Sequence, residues 1–377
     1  MLHSDHGRDH VCLKDRERMR AGLVIYNSLD TLSGGYLYDR QLVNTLRAAG
    51  DEVEIISLPW SHYQRHLLHN LRPSLLQRLQ HGRFDILLQD ELNHPSLFLI
   101  NEQLRRRSPA PIISIVHHLR SSENHSQRQL VTYRRVERRY LRSLDGQIFN
   151  SETTRAAAES LAGESRPSVV AHPAADHVGS ALDEEQLNGR LQENKPLRLL
   201  FAGNVIPRKG LHTLLAALDR LPGEPWELAI VGDLSVNNAY SRLLWKQVSS
   251  ASTAHRVTWH GRVADERLWD LMAGSDLLVV PSSYEGFGIV YLEGMAFGLP
   301  AIATTAGAAG ELITDGVNGF LVAPHNAGEL ARRIQLLLRD RRLLRQMSLA
   351  ALEKYHASPT WSQNMSAVRR FLLHMRR

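Results

Sequence analysis

The sequence predicts an α/β fold: two doubly wound domains facing a cleft, followed by an amphipathic C-terminal helix. Three observations carry this. Short β-branched runs alternate with amphipathic stretches, the pattern of βαβ units around a parallel sheet. The pattern breaks once, at roughly 173–195, and restarts. At 377 residues the chain also exceeds what one ordinary core organises. The expected division is a disordered leader over 1–20, an N-terminal domain over 21–178, a C-terminal domain over 179–358 and a terminal helix over 359–377.

The elements follow in order. "GLVIYN" (22–27) reads as a strand, and "SGGYLYDRQLVNTLRAAG" (33–50) as a helix with an apolar stripe of Leu37, Leu42, Val43 and Leu46 and a stop at Gly50. "DEVEIISL" (51–58), "FDILLQD" (84–90), "PIISIVHH" (111–118) and "GQIFN" (146–150) are further strands, the last preceded by a helix over 128–144. The polar "DEEQLNGRLQENK" marks a linker. After it come strands "PLRLLFAG" (196–203), "WELAIVG" (226–232), "RVTWHG" (256–261), "DLLVVPSS" (276–283), "PAIATT" (300–305) and "GFLV" (319–322). The tail from Thr360 is amphipathic through Trp361, Val368, Phe371 and Leu372.

Composition narrows the class. Hydrophobic content of 43% with 22% charged residues is that of a globular chain, and nothing reaches the roughly 20 apolar residues a spanning helix needs. The polar start has no apolar secretory segment. A lone Cys12 leaves no internal disulfide and no cysteine zinc site. The expected compartment is the cytoplasm, up to the inner face of the cell membrane. The net charge of +6, mostly arginine, suits anionic partners. No aromatic-interleaved basic strand set or helix-turn-helix pattern points to nucleic acid.

Ligands of doubly wound sheets bind at the carboxyl ends of the strands, and four stretches stand there. "YEGFGIVYLEGMAFGLP" places Glu285 in the loop after a strand and Glu293 in the following helix. Gly286 and Gly288 open the backbone to a ligand, and a carboxylate suits sugar hydroxyls. "FAGNVIPRKG" delivers Arg208 and Lys209 after Gly203 at a helix start, where two cations call for an anion; it is not a Walker loop. "SGGYLYD" puts Gly34 and Gly35 at a strand-to-helix turn. "IVHHLR" ends a strand with His117 and His118, able to donate to a hydroxyl or meet developing charge. There is no HExxH and no Asp-x-Asp, so a diphosphate-bridging metal is not expected. Each stretch taken alone also has a bland reading, as a cap, a basic turn, a tight turn or structural histidines.

Together, and in this order, these stretches resemble the GT-B glycosyltransferases of retaining family 4, over nearly the whole chain from Gly22. "EGFGIVYLEGMAFGLPAIAT" is the most specific part, and "AGAAGELITDGVNGFLV" (306–322) is similar to the family's downstream stretch. The resemblance implies two Rossmann-like domains, a C-terminal helix over 359–377 returning to the N-terminal domain, and a metal-free, retaining transfer from a nucleotide-sugar such as a UDP- or GDP-sugar. No cofactor is implied. By the same resemblance Glu285 holds donor-sugar hydroxyls, and Gly286, Phe287, Gly288 and Ile289 lie near the sugar and diphosphate. Glu293 takes the ribose, Lys209 neutralises the diphosphate, and Arg262 with the Val263 backbone meets the base. His117 stands near the reaction centre, with His118 the alternative, and Gly34 and Gly35 approach the phosphates. One departure is Asn204, where the family often has arginine; Arg208 is then the replacement cation.

The acceptor is a sugar or lipid-linked hydroxyl, in polysaccharide, lipopolysaccharide or glycolipid assembly. Arginines 128, 134, 135, 138, 139 and 142 against Glu137 make the 128–144 helix a candidate for contact with anionic membrane; a solvated helix face is the bland alternative. The rival classes are a nucleotide-sugar epimerase or hydrolase of the same architecture and a non-catalytic sugar-nucleotide-binding protein.

Overall fold

The computed structural model describes residues 18–31, 33–179, 184–190 and 195–376. The expected leader lies almost wholly outside them, together with Cys12. Met19 and Arg20 do not belong to such a leader: Met19 is buried, its N–H donates to Asp51, and Arg20 opens the first strand.

The chain divides into two compact units, 18–173 with Trp361–Arg376, and Ala174–Thr360. The N-terminal unit runs β1 (Arg20–Tyr26), α1 (Gly34–Ala48), β2 (Glu52–Leu58), α2 (Tyr63–His69), α3 (Pro73–His81), β3 (Ile86–Asp90), α4 (His94–Leu104), β4 (Ile112–Val116), α5 (Gln127–Arg142), β5 (Gly146–Phe149), α6 (Glu152–Ala162) and β6 (Ser168–Val170). The C-terminal unit runs α7 (Glu184–Arg190), β7 (Leu197–Ala202), α8 (Leu211–Leu218), β8 (Trp226–Val231), α9 (Asn238–Ser249), β9 (Val257–Gly261), α10 (Asp265–Gly274), β10 (Leu277–Val279), α11 (Ile289–Ala296), β11 (Ala301–Thr304), β12 (Gly319–Val322), α12 (Ala327–Arg339) and α13 (Arg341–Ala357). The last helix, α14 (Trp361–Met375), belongs to the first unit.

Each unit holds a six-stranded parallel sheet, ordered β2-β1-β3-β4-β5-β6 in the first and β12-β11-β10-β7-β8-β9 in the second. Strands buried on both faces explain the continuous apolar runs of β1, β4, β7 and β10. The order reverses between β1 and β3 in one sheet and between β7 and β10 in the other. At such switch points successive crossovers leave toward opposite sides, and the strand ends open a crevice. Residues far apart in sequence therefore meet: the loops after β7 and β10 are neighbours, as are those after β1, β3 and β4.

The unit boundary falls at Pro173/Ala174, ahead of the expected 178/179, because Ala175 and Val178 pack into the second core. The expected linker is also partly structured. Leu187 of α7 is fully buried, and Arg190 donates to the carbonyls of Phe297 and Gly298. In α14, Trp361, Met365, Val368 and Leu372 recur at helical spacing and are buried; the helix packs on α1 and β6. Burial of each such side chain stabilises by roughly 1.5–3 kcal/mol. Arg369 adds an ion pair to the buried Asp51, at 2.7 Å. Among the described residues no helix is long and apolar enough to cross a membrane.

Candidate active site

In the C-terminal unit, β7 ends at Ala202 and the chain turns through Gly203 into a short 3₁₀ turn, Pro207–Lys209. This turn docks on the loop after β10, since Ser283 N–H donates to the Arg208 carbonyl at 2.8 Å. Lys209 Nζ then reaches Glu285 Oε1 at 2.6 Å. Arg208 donates to the Tyr284 carbonyl at 2.8 Å and stands 3.7 Å from Glu285 Oε1, while Ser282 Oγ–H donates to the same oxygen at 2.6 Å. Burial pushes the Glu285 carboxyl up, but Lys209 and Arg208 outweigh it and hold it below the ordinary carboxylate range. Glu285 is thus an ionised acceptor and not a proton donor.

The loop geometry depends on two glycines. Gly288 (φ 88°) is the left-handed residue that starts α11; Tyr291 N–H donates back to its carbonyl at 2.9 Å, and the positive end of the helix dipole faces the loop. Gly307 (φ 84°) lies against Glu285, and a Cβ there would come 2.1 Å from the Glu285 carbonyl oxygen. Phe287 points into the core, Gly286 and Ile289 are half-buried, and Glu293 on α11 meets His177 Nε2 at 3.1 Å. Arg262 is exposed, 4.0 Å from Asp233, and Val263 is half-buried against the core.

In the N-terminal unit the carboxyl ends of β1, β3 and β4 bring together groups from distant stretches. His117 follows β4 and is buried. Its Nε2 lies 3.3 Å from Asp39 Oδ1 on α1, its backbone N–H donates to Glu91 at 3.0 Å, and its carbonyl accepts from Thr154. Asp39, Asp90 and Glu91 are buried around it. Burial alone would lower the imidazole, but the Asp39 hydrogen bond and the charges of Glu91, Asp39 and Asp90 win and raise its pKa from 6.5 to about 10. Asp90 is pushed well up by burial, then by Glu91 and Asp39. The open side of Gly35 faces the imidazole, its position for a Cβ being 3.2 Å from His117 Cδ2; Gly34 is the first residue of α1, which Ser33 caps. His118 pairs instead with Glu123 at 3.0 Å. Asp39, Asp90 and His117 offer donor atoms within 4.8 Å of one another.

Residues 183–354 match the family model described as Glycosyl transferases group 1. This chain carries a group 1 glycosyltransferase domain. The D-inositol 3-phosphate glycosyltransferase of Arthrobacter sp. is 28% identical over 392 residues, 86% of this chain and 90% of the relative. An uncharacterised glycosyltransferase of Methanocaldococcus jannaschii is 29% identical over 171 residues, 45% of this chain and 46% of the relative. For most of the curated relatives, the chain thus spans less than half their length. Among solved structures, sucrose-phosphate synthase from Thermosynechococcus elongatus superposes with a TM-score of 0.78 at 22% identity, covering 95% of this chain and all of the other. Anabaena HepE, in complex with UDP and glucose, gives 0.76 at 22% identity over 94% and 99%. These likenesses show the GT-B fold.

Within the group 1 domain the structure joins Arg208, Lys209 and Glu285 at one switch point, with the α11 start beside them. Sequence reasoning missed Ser282, His177 and Gly307. In the other unit it missed Asp39, Asp90 and Glu91. Asp90 ends a strand in "LLQDELNH", the position where site residues are sought, so a signal was present; Asp39 sits one helical turn past Gly35 and carried none.

Proposed function

We propose that this protein transfers a sugar from a nucleotide-sugar donor to a hydroxyl acceptor, with retention of configuration and without a metal ion. The observation that carries the reading is the meeting of Arg208, Lys209 and Glu285 beside the left-handed start of α11, in the unit that matches the family. Charge in such a transfer develops on the leaving diphosphate, so the reaction needs fixed cations and N–H dipoles there. Lys209 has three donors and spends one on Glu285, leaving two for phosphate oxygens. Arg208 adds the charge that Asn204 lacks. Glu285, kept ionised, accepts from sugar hydroxyls; Glu293, beside His177, accepts from the ribose. Arg262 and Val263 meet the base. From the N-terminal unit the reading takes His117 as a protonated donor toward substrate. HepE's complex with UDP and glucose supports a UDP-sugar donor; the acceptor in this reading is a sugar or lipid-linked hydroxyl, in glycan or glycolipid assembly.

The test is calorimetry of the purified protein against UDP-, GDP- and ADP-sugars in EDTA, followed by transfer assays with anomeric analysis of the product. One nucleotide-sugar is expected to bind, and binding is expected to fail in folded Lys209→Ala and Glu293→Ala proteins. Binding that requires added divalent metal, or an inverted product, would sink the respective part of the proposal.

A further inference from the structure

The arginines at the other end of the N-terminal unit have no part in this reaction. Arg105 and Arg106, after α4, and Arg135, Arg138, Arg139 and Arg142 on α5 line a groove of ≈ 530 Å³, with Glu102 the one acid on its wall. Helices in a parallel sheet run against the strands, so the C-terminal ends of α4 and α5 lie at the strand-start edge, opposite His117.

Part of the cluster is explained by structure. Arg138 and Arg142 donate Nε–H to the carbonyls of Leu161 and Ala162 at 2.8 Å, where α6 ends. Arg139 grips Glu102 with two bonds, at 2.6 and 2.8 Å, and Arg105 stands 3.6 Å from Asp145. These contacts fix the guanidinium planes; they do not balance the charge. Arg106 and Arg135 are exposed on the rim and make no ion pair among the described residues. Six cations around one concavity repel one another and focus a positive field into it. Guanidinium forks held in place match phosphate oxygens bidentately. The volume is that of a small-molecule site.

We infer that this groove is a second anion site, taking a compact, soluble ligand that carries two or more phosphate groups. It stands independently of the transferase reading.

The test is titration calorimetry of full-length protein with sodium tripolyphosphate, in a Lys209→Met/Glu285→Gln background that disables the other phosphate locus without stranding a buried charge. One saturable event is expected. Arg106→Ala/Arg135→Ala should weaken it by at least about tenfold, the scale of one lost charged hydrogen bond. Both residues are exposed, so the circular dichroism and melting temperature should not change. Equal affinity in the Arg106→Ala/Arg135→Ala protein would overturn the inference, as would loss of all binding in the folded Lys209→Met/Glu285→Gln protein alone. Capture by phosphatidylglycerol vesicles without tripolyphosphate binding would also overturn it, assigning these arginines to a membrane face.

Discussion

Lys209 Nζ stands 2.6 Å from Glu285 Oε1, with only 15% and 9% of the two side chains exposed. A pair this sheltered is costly to break from one side. Lys209→Met leaves a buried carboxylate with only Arg208 and Ser282, and the expected loss is about 3–5 kcal/mol of stability. Lys209→Met/Glu285→Gln removes the stranded charge and should recover most of it. Denaturant melts of the two variants check this; a double variant no more stable than the single would show that the charge is not the cause. Transfer activity should be lost in both.

Asp39 is fully buried with its Oδ1 3.3 Å from His117 Nε2. Asp39→Asn keeps the side-chain shape and removes the charge, so the imidazole should fall from about 10 toward its ordinary 6.5. Titration of the His117 ring by NMR reads this directly, and an unmoved ring would refute the coupling. If His117 serves the transfer, kcat should drop by about 10²-fold with little change in donor KM.

His94 is buried, its Nδ1–H donating to the Glu91 carbonyl at 2.8 Å and its Nε2 facing the Tyr63 hydroxyl at 3.2 Å. Burial first, with Arg120 and other histidines assisting, lowers its pKa from 6.5 to about 3. A lowered base binds its proton in the unfolded chain first. Its contribution is therefore present above pH 6.5 and drains away as pH falls toward 3. At pH 5 the loss should be about 2 kcal/mol. Melts of wild type and His94→Gln across pH 4–8 test it: the variant's curve should be flatter over pH 5–7.

Gly307 cannot take a side chain without moving Glu285. Gly307→Ala adds a left-handed strain of roughly 1–2 kcal/mol and a Cβ at 2.1 Å from the Glu285 carbonyl oxygen. The expected result is a lower melting temperature and weakened donor binding. Gly310→Ala, whose Cβ would meet only Leu321 at 3.7 Å, is the control expected to change little.

Much of this was legible before any coordinates. Apolar runs separated by helical stretches locate the strands because parallel strands are buried on both faces. Arg208, Lys209 and Glu285 were found because the ends of such strands collect ligands. What escaped depended on neighbours far away in sequence. Nothing local marks Asp39 as buried, since its environment is made by β3 and β4. Glu137 was read as the lone acid of an arginine face, yet it shares the spacing of Tyr133, Tyr140 and Leu141 and is buried with them. There it accepts the N–H groups of Arg120 and Ser121, at 2.6 and 3.2 Å. Register decided its side of the helix, and charge was the weaker guide. The supposed linker misled for the opposite reason: its polar composition hid Leu187 and Arg190, which hold α7 in place.

The return of α14 to the first unit has a consequence for how the protein comes into being. On the ribosome, every strand of the first sheet is made early, but Trp361, Met365, Val368 and Leu372, which join that unit's core, are made only after the whole second unit. The second unit, Ala174–Thr360, is contiguous and has all its residues beforehand. The second unit therefore contains everything its core needs without α14, while the first waits for α14 with the surface of α1 uncovered. A released chain truncated before Trp361 should hold a protease-resistant second unit and a cleavable first one.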